Sequence, residues 1–389
     1  MRILFAVAPA IAHLFPMVTL AHAARAAGHE VVVATAGPAV DGAVRAGLPV
    51  VDAAPDTDFG AVFGKSTGTA DERARQARER GRAMAELGAT PDFILERFGK
   101  VSDLLADTVL AFARSWRPDL VVHSRVLGAG LLAARDLGVP AVEHGFGFLR
   151  EPDLPGRFLP HLEPMFARHG VPLELPRVHP LHIAPPSLMI GAPGGRQMRF
   201  VPYNAGGVLP NWLGEPAQRP RIAVTLGTTV PQMAGFGAVQ SVLAAAGAVD
   251  AEFVLALGAD PDLDEVGPIP ANVRLIGWVP LNNLLTACDA IVHHGGSGTV
   301  LTTIAAGLPH LSMPHGADDF INADLVARNG MGLNLEPGEV DAAALERLAH
   351  DEALRVAARA AADELAAQTP PSEVVPVLAA LAEGKDEAW

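Results

Sequence analysis

The sequence has little cysteine, little lysine and no long apolar run, and each shortage excludes something. The single cysteine, Cys288, excludes a disulfide within the chain and indicates the reducing cytoplasm. No apolar run approaches the ~20 residues of a membrane helix, so stable membrane insertion is not expected. Only Lys65, Lys100 and Lys385 are lysines among 29 basic residues, against 43 acidic ones, and the net charge is −14. Because a nucleic-acid-binding protein usually carries a basic patch, nucleic acid is excluded as a partner.

The chain is long and apolar enough to form large cores. At ~100–200 residues per domain, its 389 residues predict two domains, and half of the residues are apolar, with a mean hydropathy of +0.26. The start, MRILFAVAPAIA, also looks like a signal peptide, with Arg2, an apolar stretch and small residues. Cleavage there would remove a predicted strand, so we interpret this segment as the first element of the fold.

A repeated turn pattern indicates the fold class. Helical stretches end at Gly47, Gly138, Gly170 and Gly307, each followed two residues later by proline, which prevents the helix from continuing. Short runs that are apolar on both faces alternate with the helices: Ile3–Ala8, Val31–Thr35, Leu120–His123, Ile222–Leu226, Phe253–Leu257 and Ala290–His293. Such runs suit parallel strands covered by helices. The sequence therefore predicts an α/β protein with two doubly wound parallel-sheet domains.

The predicted domain boundary lies in residues 202–220, which carry four prolines and three glycines and show no periodicity. The prediction is an N-terminal domain over 1–201, a linker over 202–220 and a second domain over 221–370. Residues 371–389 form a C-terminal helix, for which packing back on the N-terminal domain is one alternative. Within the first domain, the mixed charges of residues 71–87 are typical of a helix with a solvated face.

The segment with the strongest chemical signal is 289–307, DAIVHHGGSGTVLTTIAAG, in which a strand runs through a glycine-rich turn into a helix. A glycine-rich helix start exposes backbone N–H groups at the positive end of the helix dipole, which favours binding of a phosphate. Ser297 or Thr299 would cap the helix or donate a hydroxyl hydrogen bond, and His294 would add a donor. The alternative is a tight, capped turn with a packed histidine pair. The segment is neither a Walker loop nor a dinucleotide fingerprint.

HHGGSGT closely resembles the donor-binding signature of glycosyltransferase family 1. Other segments follow in that family's order: VTLGTT at 224–229, GWVPLNNLL at 277–285, MPHGADDFINA at 313–323, and a start with Ala12-His13 and Pro16. The resemblance implies a GT-B fold, in which two Rossmann-like domains face a cleft, with the acceptor on the N-terminal domain and the nucleotide sugar on the C-terminal one. The actinobacterial enzymes that glycosylate antibiotics and other natural products are the most similar members.

The resemblance also implies roles for the donor site. Trp278 would stack on the nucleobase while the Val279 backbone bonds the base edge, with core packing as the alternative for the indole. The residues implied at the donor diphosphate are Gly227, Thr228, His294, Gly296, Ser297, Gly298 and Thr299. Stabilising the leaving diphosphate would lower the barrier to breaking the sugar C1–O bond.

Asp318 and Asp319 stand where the family usually carries Asp-Gln, the pair that contacts the donor sugar. Asp318 matches, and Asp319 replaces the glutamine. Because an ionised carboxylate only accepts hydrogen bonds, we expect different sugar contacts and therefore an altered or deoxygenated sugar. The alternative is a solvent-facing aspartate at a helix start.

His13 is the candidate general base, since it follows the first strand at the carboxyl edge of the sheet, where α/β proteins bind ligands. Family members often orient this histidine with an aspartate, but Ser124 occupies that position here. Ser124 would hold His13 by a neutral hydrogen bond, another carboxylate would serve, or the assignment of the base is wrong. His144 and Phe146 are the candidates for the acceptor pocket.

The implied activity is an inverting transfer of a deoxysugar, with dTDP-sugar as the leading donor, to a small acceptor such as a polyketide. No cofactor is expected beyond the nucleotide sugar as co-substrate, and no metal, since no histidine pair has ligand spacing with a third ligand. Two alternatives are a nucleotide-sugar epimerase on the same fold and a non-catalytic homologue that binds nucleotide sugar or assists a partner transferase. The oligomeric state is left open, with a homodimer as one alternative.

Overall fold

The computed structural model describes residues 1–62, 70–227, 237–258 and 266–389. The chain divides into two compact units. The first contains the described residues up to 62 together with Ala89–Ala205 and Ala367–Trp389. The second contains the described residues from 70 to Gly88 and the described part of Gly206–Ala366.

The first unit is built on a seven-stranded sheet in the order β3-β2-β1-β4-β5-β7-β9, and its paired strands are parallel. Two further short strands, β6 and β8, pair with each other. The strands are β1 Arg2–Ala6, β2 Glu30–Thr35, β3 Val50–Asp52, β4 Leu120–Ser124, β5 Ala141–His144, β6 Leu149–Arg150, β7 Val178–His182, β8 Ile190–Gly191 and β9 Arg196–Gln197. The helices in this part of the chain are α1 Ile11–Ala26, α2 Pro38–Arg45, α3 Phe59–Val62, α5 Asp92–Trp116, α6 Gly128–Leu137, α7 Leu154–Phe158 and α8 Glu163–His169, with 3-10 turns at Leu159–Leu162 and Pro186–Leu188.

The second unit is built on a six-stranded sheet in the order β12-β11-β10-β13-β14-β15, again with parallel pairs. The strands are β10 Arg221–Thr225, β11 Glu252–Ala256, β12 Val273–Ile276, β13 Ala290–His293, β14 His310–Ser312 and β15 Gly332–Asn334. The helices are α4 Ala70–Leu87, α9 Gly237–Ala246, α10 Leu281–Leu285, α11 Ser297–Ala306, α12 Asp319–Arg328, α13 Ala342–His350 and α14 Glu352–Ala366, with 3-10 turns at Asn211–Gly214 and Pro337–Glu339.

The central strands form because their residues are apolar on both faces and are covered on both faces. Ile3, Leu4 and Phe5 of β1 are fully buried, as are Ile291 and Val292 of β13. The predicted class of two parallel-sheet α/β domains is confirmed. The four glycines that follow α2, α6, α8 and α11 have φ between 67° and 70°, the left-handed conformation that ends a helix.

The course of the chain between the units differs from the predicted boundaries. Helix α4 lies within the range 1–201 but belongs to the second unit, where it packs on α12. The units divide after Ala205, inside the segment 202–220. The C-terminal helix α15 (Pro371–Ala382) lies in the first unit and packs on α1, and a 3-10 turn, Asp386–Ala388, follows it. None of the described helices is long and apolar enough to cross a membrane.

Candidate functional site

The glycine-rich turn between β13 and α11 presents free backbone donors. Gly296 is the N-cap of α11 and, having no side chain, leaves the cap position without a side-chain hydrogen bond. The Thr299 N–H donates to Gly296 O (2.9 Å), so the first two helical N–H groups, of Ser297 and Gly298, have no backbone partner among the described residues. A Cβ at Gly298 would meet nothing within 4 Å, so the space beside it is open. This helix start can receive an anion.

The predicted caps are wrong. The Ser297 hydroxyl donates to Asp318 Oδ2 (2.5 Å) instead of capping the helix, so only its backbone N–H remains for a ligand. Thr299 does not cap the helix either, since the N-cap is Gly296.

The His294 ring is held between two glycines. A Cβ at Gly227 would lie 2.6 Å from His294 Cε1, and a Cβ at Gly296 would lie 2.4 Å from His294 Nε2, so neither position admits a side chain while the ring stays there. His294 Nδ1 is buried without a hydrogen-bond partner among the described residues. Burial, with a smaller effect of His315, lowers the pKa of His294 to about 3. The ring is therefore neutral at pH 7 and offers a phosphate one N–H rather than a charge. Thr228 lies outside the described residues.

A buried pair of histidines, His293 and His310, supports the turn, and no sequence pattern indicates this pair. His293 Nδ1 accepts the Gly295 N–H (2.9 Å), and His293 Nε2 lies 3.1 Å from His310 Nδ1. Since Nδ1 of His293 is an acceptor, its Nε2 carries the proton and donates to His310. His310 is 17 residues away on the neighbouring strand β14, and only the parallel register brings the two rings together.

Asp318 and Asp319 have different surroundings. Asp318 Oδ2 accepts the Ser297 hydroxyl and the Asn322 side-chain amide (3.2 Å), and Asn322 also donates to Gly295 O (2.8 Å). Asn322 is a further residue of this site to which the sequence pattern assigned no role. These bonds fasten the start of α12 to the glycine-rich turn.

Asp319 is buried, with Oδ2 accepting the backbone N–H groups of His315 (3.3 Å) and Gly316 (3.1 Å). Burial, together with the neighbouring charge of Asp318, raises the pKa of Asp319 well above its usual value. A protonated carboxyl can donate a hydrogen bond as well as accept one. The alternative of a solvent-facing aspartate is therefore wrong, since Asp319 is buried, and the expected contact of Asp319 with the donor sugar stays a prediction.

Trp278 and Val279 follow β12 in the second unit. The Trp278 side chain is 44% exposed, so a face of the indole is available for stacking, whereas Val279 is buried among core residues. Core packing of the indole is therefore excluded, and the nucleobase role stays a prediction.

In the first unit, His13 lies in the first turn of α1 against two aromatic rings. Its ring centroid is 4.4 Å from that of Phe146 and 5.9 Å from that of Phe98. His13 Nδ1 is buried without a hydrogen-bond partner among the described residues, and burial lowers the pKa of His13 to about 4. The imidazole is neutral at pH 7 and able to accept a proton.

Ser124 does not orient His13. Its Oγ accepts the backbone N–H of Ala8 (3.0 Å), which fastens the loop after β1 to the end of β4. His144 is also not where the sequence predicted it: the ring is fully buried and its Nδ1 donates to Gly145 O (2.6 Å), so it lines no accessible surface. Of the two acceptor candidates, the structure places only Phe146 beside His13.

A buried ion network that the sequence did not indicate follows β4 and β5. Arg125 Nη2 donates to Glu151 Oε2 (2.7 Å), and its Nε lies 3.7 Å from Glu143 Oε1. Burial raises the pKa of Glu143 to about 7, although Arg125 opposes the shift. The one available signal was the position of Arg125 directly after a strand.

The described residues include no group of three His, Cys, Asp or Glu side chains arranged to hold a metal ion. The expected independence of metal and cofactor stays a prediction. Cys288 is buried, its thiol lies 3.3 Å from Leu284 O, and burial raises its pKa to about 12, so it is an unreactive core residue.

Two family models match the chain, over residues 22–227 and 240–381; they describe the N-terminal and C-terminal domains of erythromycin biosynthesis protein CIII-like proteins. The chain is 40% identical over 381 residues to the elloramycin glycosyltransferase ElmGT of Streptomyces olivaceus, covering 96% of each protein. Its structure is similar to that of the glycosyltransferase SnogD from Streptomyces nogalater, with a TM-score of 0.83, 40% identity and 98% and 99% coverage. It is also similar to the glycosyltransferase SsfS6 of Streptomyces sp. SF2575 complexed with thymidine diphosphate, with a TM-score of 0.80, 29% identity and 97% and 99% coverage.

Proposed function

Because the chain belongs to the family of erythromycin biosynthesis protein CIII-like glycosyltransferases, with the GT-B fold, we propose that it transfers a deoxysugar, with inversion, from a nucleotide diphosphate to a small natural-product acceptor. The observation that carries this proposal is the open start of α11 with His294 beside it. A polyketide is the leading acceptor class, supported by the antibiotics for which the family and the relative are named.

The leaving diphosphate binds at the glycine-rich turn. The N–H groups of Ser297 and Gly298, the helix dipole and the neutral His294 N–H stabilise the charge that develops as the sugar C1–O bond breaks. These groups take the place of a metal ion, so the proposed reaction needs no metal and no cofactor other than the nucleotide sugar.

The proposed donor is a dTDP-sugar. Thymidine diphosphate in the SsfS6 complex supports the nucleotide, and the exposed indole of Trp278 supports base stacking. A protonated Asp319 donates to one sugar oxygen while its Oδ2 accepts the backbone N–H groups of His315 and Gly316, and Asp318 accepts from a sugar hydroxyl. A protonated carboxyl has one donor where an amide has two, and this difference supports a modified sugar.

His13 is the proposed base. Its neutral imidazole takes the proton of the acceptor hydroxyl as the oxygen attacks C1 and the nucleotide diphosphate departs. Phe146 and Phe98 give the ring apolar neighbours suited to an aromatic or aliphatic acceptor. Ser124 is not proposed to orient the ring, because its hydroxyl accepts the Ala8 N–H. No carboxylate is proposed in its place, because His13 Nδ1 has no hydrogen-bond partner among the described residues.

The test is a turnover assay with dTDP-deoxysugars and a panel of polyketide acceptors. We expect His13→Ala to lower kcat by ~10²–10⁴ at saturating donor, the usual contribution of a general base. His22→Ala is the matched control, because His22 lies exposed on the same helix and bonds only Ala46 O among the described residues.

Near-normal kcat in His13→Ala would contradict the assignment of the base. Free nucleoside diphosphate should form only when an acceptor is present; an acceptor-independent change of the sugar would instead identify an epimerase. Donor binding without turnover on every acceptor would indicate a non-catalytic homologue.

A further inference from the structure

Helix α4 lies directly on the loop that leads to Asp319. A Cβ at Gly81 would be 2.7 Å from Phe320 Cδ2 and 3.0 Å from Gly316 Cα. A Cβ at Gly316 would be 3.2 Å from that of Ala77. Gly81 is buried, so two glycines, one on each element, allow the helix to approach the loop closely. The contact places the same face of α4 beside His315, at the edge of the donor site.

That face of α4 carries more positive than negative charge. Arg78 and Arg82 both pair with the one carboxylate of Glu336, Arg82 at 2.6 Å, and Arg82 lies over the Phe320 ring at 5.5 Å. The Arg78 side chain is 24% exposed against 56% for Arg82, so Arg78 is the more enclosed of the two. A guanidinium has five N–H donors, and a shared carboxylate cannot occupy all of them.

A chain of contacts connects Arg78 to the glycine-rich turn: the preceding residue, Ala77, packs on Gly316, the Gly316 N–H donates to Asp319 Oδ2 (3.1 Å), and the neighbouring Asp318 accepts the Ser297 hydroxyl. The charge of Arg78 contributes to lowering the pKa of His315, and His315 contributes to lowering that of His294. Both histidines are neutral at pH 7, with pKa values of about 4 and 3, so a ligand with two phosphates would meet no formal positive charge from them.

We propose that Arg78 is a donor-binding residue, which supplies the diphosphate of the nucleotide sugar with the cationic contact that the glycine-rich turn lacks. The inference rests on the proposed function and extends it to a helix outside the motifs of the donor site. Charge-assisted hydrogen bonds from arginine to phosphate are among the stronger contacts available to a protein. In a chain of net charge −14, a local guanidinium offsets repulsion of the diphosphate at short range.

The experiment measures the Kd of thymidine diphosphate, uridine diphosphate and thymidine by calorimetry. We expect Arg78→Gln to raise the Kd of the tighter diphosphate about tenfold, a typical loss for a hydrogen bond to a charged group, and to leave the Kd of thymidine unchanged. The control is Arg80→Gln, which removes the same charge from the exposed face of α4, where Arg80 donates to Gln76. It should change the Kd of the diphosphate and that of thymidine less than about twofold.

Glu336→Gln provides a test in the opposite direction and does not depend on Arg78→Gln folding well. Removing the competing carboxylate should free Arg78 and lower the diphosphate Kd about threefold, in the range of a partly exposed ion pair. If α4 only supports the loop, Glu336→Gln should instead raise the diphosphate Kd, because losing the ion pair weakens the packing of α4 on that loop.

If Arg78→Gln and Arg80→Gln bind the diphosphate equally well, or if Arg78→Gln also weakens thymidine binding, the inference about Arg78 is wrong while the proposed function stands. Weaker diphosphate binding by Glu336→Gln would do the same. A wild-type chain that binds neither diphosphate would overturn the proposed function and, with it, this inference.

Discussion

Asp319 shows how its surroundings change what a side chain can do. In the sequence it is an acidic residue in place of an amide, and an acceptor-only group follows from its ordinary pKa. In the structure the carboxyl is buried beside Asp318, which favours the protonated form. A protonated carboxyl is closer to an amide in its hydrogen bonding than a carboxylate is, so the substitution changes the site less than the sequence indicated.

The protonation of Asp319 is testable through the pH dependence of donor binding. We expect KM for the donor to rise with increasing pH in the wild type, because Asp319 loses its donating proton as the pH passes its raised pKa. Asp319→Asn donates and accepts without ionising, so its KM should stay level over the same range. His294 and His315 have pKa values of about 3 and 4 and do not titrate above pH 6. Parallel KM profiles for the two proteins would contradict the assignment.

At the scale of one element, α11 depends on two glycines for different reasons. Gly296 is needed because His294 fills the space of its Cβ, whereas Gly298 has open space and a helical backbone. The sequence shows both as parts of one glycine-rich motif and cannot separate them.

A pair of alanine substitutions separates the two glycines. Gly296→Ala should lower the thermal midpoint, since overpacking of this kind costs roughly 1–3 kcal/mol. Gly298→Ala should leave the midpoint unchanged or raise it, because alanine in a helix is about 1 kcal/mol more favourable than glycine. Thermal unfolding followed by circular dichroism measures both. A lower midpoint for Gly298→Ala than for Gly296→Ala would refute this division of roles.

Helix α4 is the element whose packing the local sequence pattern predicted least well. Its mixed charges indicate a solvated face, and one face is indeed exposed, at Arg75, Glu79 and Arg80. The opposite face is mostly small rather than apolar: Ala74, Ala77, Gly81 and Ala85 recur at helical spacing and are partly or fully buried. Small residues at this spacing were the signal that another helix or loop approaches closely.

At the scale of the whole molecule, more than half of the histidines have pKa values lowered by burial. Burial lowers the pKa of eight of the 14 histidines strongly, in most cases to about 3 or 4: His13, His123, His144, His182, His293, His294, His310 and His315. In the unfolded chain these groups have pKa values near 6.5. Folding therefore excludes protons that the unfolded chain binds below that pH.

The consequence is a protein whose stability falls in mild acid. Between about pH 6.5 and 4 the unfolded state binds more protons than the folded state, so the free energy of unfolding decreases as pH falls, by about 1.4 kcal/mol per pH unit for each proton taken up. Glu143 and Asp319, with raised pKa values, act in the opposite direction but are fewer. Urea midpoints measured from pH 7.5 to 5 should decline; a constant or rising midpoint would show that the histidines are hydrated.

At this scale, the strongly negative net charge is compatible with a site for a diphosphate. The charge of −14 argues against nucleic acid and does not argue against a diphosphate, because screening limits repulsion to about 8 Å at physiological salt. Backbone N–H groups at α11 act inside that distance. The sequence alone predicted the strand, turn and helix start at 293–299 from the glycine spacing and the strand before it, and anion binding there stays a prediction.

What the sequence determined by itself was everything that depends on local order. Apolar runs, glycine stops and the strand–turn–helix segment specify the two parallel sheets and the glycine-rich turn, because periodicity and backbone freedom are properties of neighbouring residues. Only the tertiary structure decided which distant residues meet: Ser124 with Ala8, His293 with His310, and α4 with the second unit. It also decided the direction in which the pKa values of Asp319 and His13 shift, because a pKa depends on burial and on charges brought close by folding.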